Sequence, residues 1–203
     1  MSKLTLYQVP PSPNCVKIRL ALGLKQLDYT TVDVGFEDRA QVIEVSGQPL
    51  TPVLTDGERV IYDSRYLDAN WKEGPRLFDA DRARQQEIQT WEQFARNELG
   101  EVMGMIVGQL FAGTEDAEVL GKAHGLLGER LRRVEDALDG KEFLMGTEAP
   151  SAADLTCAAF SLYGFMDDTS NPVCAIFAKH ARLPDADFPR TAAWLARCLA
   201  FDA

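Results

Sequence analysis

Histidine is nearly absent from this 203-residue chain: His124 and His180 are the whole supply. Both lie far in sequence from the first cysteine, so a Cys–His catalytic pair or a zinc site has little to build on. Cysteine is scarce as well. Cys15, Cys157, Cys174 and Cys198 are scattered, with no CxxC and no metal-ligand spacing. That argues against a dithiol redox centre, a disulfide framework and a metal cofactor. No apolar run approaches the ~20 residues that span a bilayer. The N-terminal MSKLTLYQV lacks the apolar core of a signal peptide and turns directly into a strand pattern. A cytoplasmic protein with no membrane partner is expected. Positive charge is also short: 21 Lys+Arg stand against 31 Asp+Glu, a formal net charge of -10. The densest basic stretch, Arg130 to Arg133, is interleaved with Glu129 and Glu135, so no nucleic-acid partner is expected. An anionic ligand would have to be held by local dipoles and helix starts.

What is present is an ordinary globular composition, 46% hydrophobic and 26% charged. The first third alternates strand and helix signals. Leu4 to Val9 reads as a buried strand and 13–25 as a helix with Cys15, Ile18 and Leu22 on one face. The β-branched run Tyr29 to Val34 reads as a second strand, followed by a short helix near 38–45. Thr51–Thr55 and Glu58–Tyr62 flank Asp56-Gly57, a hairpin signal. Ser64–Trp71 reads as a helix. The order β-α-β-α-β-β-α implies a four-stranded mixed sheet, parallel in its βαβ part, with an antiparallel strand added at the edge by the hairpin. After Gly74-Pro75 the strand signals stop. Residues 80–111 and 115–139 carry apolar stripes at helical spacing. A third helix opens at Pro150 and a fourth covers Phe188 to Cys198. The expected architecture is a thioredoxin-like α/β domain over residues 1–75 and an all-helical domain over 80–203.

Several short motifs bear on chemistry. Val9-Pro-Pro-Ser-Pro-Asn-Cys15 delivers Ser12 and Cys15 to a helix start, where free N–H groups face a ligand. A hydroxyl there can donate to a thiolate and lower its pKa. The plainer reading of Ser12 is a helix cap with Pro13 at the first helical position. Cys15 shares a face with Ile18 and Leu22, which suggests packing. Thr51-Pro52 opens a strand, where a missing N–H does least harm. Asp63-Ser64 offers a carboxylate for an ammonium and a hydroxyl for a carboxylate, the two charges of an α-amino acid head group; Ser64 also suits a plain cap. Ser151-Ala-Ala-Asp154 is a capping-box variant and reads as structural. Gly100, Gly104 and Gly108 lie four apart, either for close approach of a neighbour or only loosening a helix.

Taken in order, these pieces resemble the cytosolic glutathione transferase family along nearly the whole chain. Ser12-Pro-Asn-Cys-Val-Lys-Ile-Arg-Leu-Ala-Leu22 is similar to its active-site turn and first helix. Thr51-Pro52-Val-Leu is similar to its cis-proline motif, and Asp63-Ser64-Arg-Tyr-Leu to the motif that binds the γ-glutamyl end of glutathione. Ser151 to Asp154 and FPRTAAWLARC are similar to its helical capping box and last long helix. The resemblance implies glutathione as co-substrate and a serine-type active-site turn, with Ser12 as the hydroxyl that meets the sulfur. It implies Thr51, Pro52, Asp63 and Ser64 as glutathione contacts, and Cys15 as a packing residue. It also implies an electrophile site on the helix around 91–111 and a homodimer. The basic residue that many members carry before the proline is missing; Gln48 is the nearest polar candidate to anchor the glycine carboxylate. The reaction expected is attack of the activated thiol on a small hydrophobic electrophile, by conjugation or isomerisation. The alternatives are a non-catalytic binding module of the same fold and a thiol reductase using Cys15.

Overall fold

A computed structural model describes residues 4–62, 64–72 and 74–202. Strand β1 (Leu4–Gln8) buries Leu4, Leu6 and Gln8 and leaves Thr5 and Tyr7 half-buried, the alternation of a sheet with unequal faces. Helix α1 (Pro13–Leu24) follows, then β2 (Tyr29–Asp33), α2 (Ala40–Ser46), β3 (Val53–Asp56), β4 (Arg59–Ile61) and α3 (Arg65–Asn70). The sheet order is β2-β1-β3-β4. β1 and β2 are parallel, while β3 runs antiparallel to both β1 and β4. The reversed strand is therefore the interior β3 rather than the edge strand expected from sequence. Two hairpin strands after a parallel pair can pair on either side; β3 is the more apolar and takes the buried place, with Val53, Leu54 and Thr55 all enclosed. Asp56-Gly57 makes the hairpin turn, with Gly57 at φ 60° where a side chain would be strained.

All the remaining elements are helical. They are α4 (Arg82–Phe94), a π-helical turn (Ala95–Leu99), α5 (Gly100–Ala112), α6 (Ala117–Ala137), α7 (Ala152–Ser161), α8 (Pro172–His180) and α9 (Pro189–Leu199), with short 3-10 turns at Leu162–Gly164 and Asp185–Asp187. Asp81 caps α4 through Arg84 N, and Asp116 caps α6 through Glu118 N and Val119 N. The helix expected over 80–111 runs without a break from Arg82 to Ala112, with the π turn inside it. No proline marks that turn, and Ala95 and Leu99 within it are fully buried. Helix α8 has no counterpart in the sequence-based element order, although Asn171 capping Cys174 N with Pro172 at the first helical position is a standard start. Cβ atoms built on Gly104 and Gly108 would meet open space, so a shared close-approach face is not what those glycines provide.

Every residue of α7 is buried. It packs against α1, α4 and α9, so one apolar cluster runs from Leu6 and Leu20 through Leu155 to Trp194. Asp154 Oδ2 accepts from Ser151 N at 2.9 Å and Ser151 Oγ at 2.8 Å, closing the capping box. Asp154 Oδ1 accepts from Leu144 N at 2.7 Å and Trp194 Nε1 at 3.0 Å, tying α7 to α9. A second buried carboxylate joins the sheet half to the helical half. Asp68 pairs with the buried Lys25 Nζ at 2.7 Å and accepts from Leu77 N and Phe78 N at 3.0 and 2.9 Å. Lys25 Nζ also donates to Trp71 O at 3.1 Å.

Candidate functional site

The turn after β1 is short of backbone donors, because Pro10, Pro11 and Pro13 carry no N–H. Ser12 N donates to Val9 O at 2.9 Å, and Ser12 O starts α1 by accepting from Cys15 N and Val16 N at 2.9 Å each. Ser12 holds the N-cap position in extended geometry, yet its side chain makes no capping bond. Its hydroxyl lies against the Cys15 thiol instead, and the Thr51 hydroxyl reaches the same thiol. The fold thus brings Ser12 and Thr51, 39 positions apart in sequence (51 − 12), to one sulfur. Cys15 is fully buried. Burial pushes its thiol up; hydrogen bonds from Val9, Ser12 and Thr51 act the other way without offsetting it. Tyr163 donates from its hydroxyl to Pro11 O, and burial raises that phenol far above the ordinary tyrosine value.

The Thr51–Pro52 peptide bond is cis. Thr51, Pro52 and Ser64 line one cavity of about 210 Å³, together with Asn14 and Lys17 from α1 and Tyr62. Ser64 stands at the start of α3 and its side chain is not spent on a cap. Asp63 lies outside the described residues. Gln48 does not line this cavity. Its amide is committed to its own loop, donating to Leu50 O at 2.9 Å and accepting from Leu50 N at 2.6 Å. A basic group does reach the site from elsewhere. Arg39 Nη1 donates to Thr51 Oγ1 at 3.4 Å, while Arg39 Nε is steadied by Phe36 O at 3.2 Å.

A second cavity, about 410 Å³, is walled by Val9, Pro10 and Pro11, by Phe36, and by Leu110 and Phe111 at the end of α5. The Phe36 and Phe111 rings meet edge to face at 5.7 Å, and both are well exposed. Residues 9–11 thus border an apolar cavity, Asn14 borders a polar one, and Ser12 lies between them in the chain. An arrangement of this kind can hold a zwitterionic, extended molecule on one side and an apolar one on the other. Sequence pattern alone does not single out Asn14, Lys17 or Arg39. Asn14 and Lys17 carry a signal only once α1 is known to face the Thr51 loop. Arg39 carries none, because a loop residue 12 positions before Thr51 (51 − 39) meets it only through the fold. Among the described residues, no group of three or more His, Cys, Asp or Glu could hold a metal ion, and no helix is long and apolar enough to cross a membrane.

Residues 6–68 match the family profile described as Glutathione S-transferase, N-terminal domain. A four-stranded thioredoxin-like sheet followed by a helical part is also the fold of solved glutathione S-transferases. The Tau class glutathione S-transferase of mango superposes with a TM-score of 0.76 at 22% identity, covering 98% of this chain and 89% of that one. A rice glutathione S-transferase in complex with glutathione gives a TM-score of 0.76 at 18% identity, covering 98% and 86%. In sequence, Glutathione S-transferase 3 of Zea mays is 29% identical over 162 residues, which is 73% of this chain and 72% of the maize protein.

Proposed function

We propose that this chain is a cytosolic glutathione transferase with a serine-type active-site turn. The observation that carries the proposal is the cavity that joins Thr51, Pro52 and Ser64 with Asn14 and Lys17 of α1, the helix that Ser12 opens without spending its hydroxyl as a cap. Glutathione would lie extended along Thr51, with its α-amino acid end at Ser64 and Asp63. Arg39 takes over from Gln48 as the anchor for the glycine carboxylate, since the Gln48 amide is already engaged and the Arg39 guanidinium sits on Thr51. A guanidinium binds a carboxylate in a fork, which suits that end of the ligand.

Ser12 donates a hydrogen bond to the glutathione sulfur. The charged sulfur gains more from that bond than the neutral thiol, so the thiol pKa falls and more nucleophile is present near neutral pH. The thiol proton passes to solvent, and the thiolate attacks a small apolar electrophile lying against Phe36 and Phe111: the sulfur–carbon bond forms as the electron pair leaves with a departing group such as halide, or, in an addition, moves to a neighbouring atom that solvent protonates. Residues 1–75 serve as the glutathione domain and 80–203 supply the electrophile wall. Assembly as a homodimer in the cytoplasm fits the same family. A thiol reductase acting through Cys15 is disfavoured, because burial holds that thiol protonated. Titration calorimetry with glutathione tests the reading. Saturable binding at sub-millimolar to millimolar ligand is expected; heat no different from dilution would leave only a non-catalytic module of the same fold.

A further inference from the structure

The turn that carries Ser12 has few donors of its own. With three prolines in residues 10–13, its one backbone N–H there is Ser12 N, which donates to Val9 O, and the Pro10 and Pro11 carbonyls are held by side chains from outside. One of the outside groups is Arg19. Its Nη1 donates to Pro10 O at 3.1 Å and to Gln8 Oε1 at 2.9 Å. Gln8 is buried and passes the contact on, donating to Asp33 Oδ1 at 2.9 Å at the end of β2. The other face of the Arg19 fork is taken by Asp202, with Nε–Oδ1 at 2.7 Å and Nη2–Oδ2 at 2.9 Å. Burial works against the Arg19 charge, and the hydrogen bond and field of Asp202 outweigh it.

A second observation seats the same segment on α1. A Cβ on Gly23 would lie 1.8 Å from the Phe201 carbonyl oxygen, so only glycine admits that backbone. Residues 19 and 23 are four apart and share one face of α1. The Phe201–Asp202 segment therefore meets α1 at a steric notch and at a bidentate ion pair, one turn from each other.

We propose that the Phe201–Asp202 segment, seated on Gly23, orients the Arg19 fork so that it fixes the Pro10 carbonyl and thereby the position of the Ser12 hydroxyl. Arg19 and Asp202 are positioning residues, acting through the turn backbone. The consequence for catalysis rests on the glutathione transferase reading; the positioning itself does not. A lysine at 19 could not replace the arginine, because one ammonium cannot span a carboxylate, an amide oxygen and a carbonyl in fixed directions.

The test uses the full chain with Asp202→Ala, Gly23→Ala and Arg19→Lys. Gly23→Ala expels the segment without touching any charge, and Asp202→Ala removes one partly exposed carboxylate without altering α1. Hydrogen exchange at the amides of Ser12, Asn14 and Cys15 should quicken about tenfold in each variant while α6 stays protected as in the wild type. Where glutathione binds, its thiol in the complex should titrate about half a pH unit or more higher, with affinity changed less than about twofold. Exchange at the turn equal to wild type, or an increase spread evenly over all helices, overturns the proposal. So does an unshifted thiol in variants whose wild type lowers it. A wild type that fails to bind glutathione defeats the functional reading instead, and the exchange rates still decide the positioning.

Discussion

Ser12 and Cys15, three positions apart at one helix start, have opposite surroundings. Both stand at a helix start, where the backbone favours an anion. Ser12 is half-buried and its hydroxyl is not a cap; Cys15 is fully enclosed and its thiol is pushed up by desolvation. Alkylation checks this directly: at about pH 8, where a free thiol is part ionised, Cys15 should react far more slowly with iodoacetamide than it does in the unfolded chain. Arg39 carries a second prediction at this scale. Arg39→Ala should weaken glutathione binding by about tenfold, the loss of one charge-assisted contact. γ-Glutamylcysteine, which lacks the glycine carboxylate, should bind the variant and the wild type alike. Equal weakening for both ligands would remove Arg39 from the anchor role. Ser12, Thr51 and Ser64 could be named from sequence because each follows a strand or opens a helix in a recognisable order. Arg39 and Tyr163 could not, because their partners Thr51 and Pro11 are set by tertiary approach alone.

Among the helices, α9 is held by a carboxylate that belongs to α6. Glu135 accepts from Thr191 N and Thr191 Oγ1 at 2.7 Å each, and from Arg190 N and Nε at 3.1 Å. These bonds satisfy the donors that open α9, whose own cap position holds Phe188 and offers none. Burial alone would raise the Glu135 pKa; the Thr191 hydrogen bonds outweigh it and hold the carboxyl below its ordinary 4.5. A folded value below the unfolded one stabilises fully above the unfolded value, and that share is lost as pH falls through the folded value. Urea unfolding of Glu135→Gln should show its deficit against wild type shrinking between about pH 7 and about pH 3. A deficit that is constant over that range would contradict the assignment. Element order was legible wherever hydrophobic period and caps agreed, as in β1, α1, the hairpin and α6. The π turn at 95–99 was not, since it breaks no propensity rule, and α8 hid because its apolar run is short.

The whole molecule has one continuous core, although the sequence changes character near residues 73–80. The cluster crosses that change through α1 against α7, and the Lys25–Asp68 pair ties the connecting strand of chain at Leu77 and Phe78. Removing one partner of such a pair costs about 3–5 kcal/mol, a large share of a typical domain's stability. The two halves should therefore unfold together. Far-ultraviolet circular dichroism, which follows the helices, and the fluorescence of Trp71, Trp91 and Trp194 should give coincident urea transitions. Two separated midpoints would show that the halves are independent. Net charge was the most readable property at this scale. With -10 overall, any anionic ligand has to be drawn by local groups, and Lys17 and Arg39 stand at or beside the polar cavity.

The central claim is that the Ser12 hydroxyl favours the thiolate of bound glutathione. Ultraviolet titration of the thiolate in the glutathione complex, wild type against Ser12→Ala, tests it most directly. The wild type should hold the thiol at least about one pH unit below free glutathione, worth about 1.4 kcal/mol of preference for the anion. In Ser12→Ala the titration should return toward the free value while glutathione affinity changes little. A complex whose thiol titrates at the same pH with serine or alanine at position 12 would contradict the account.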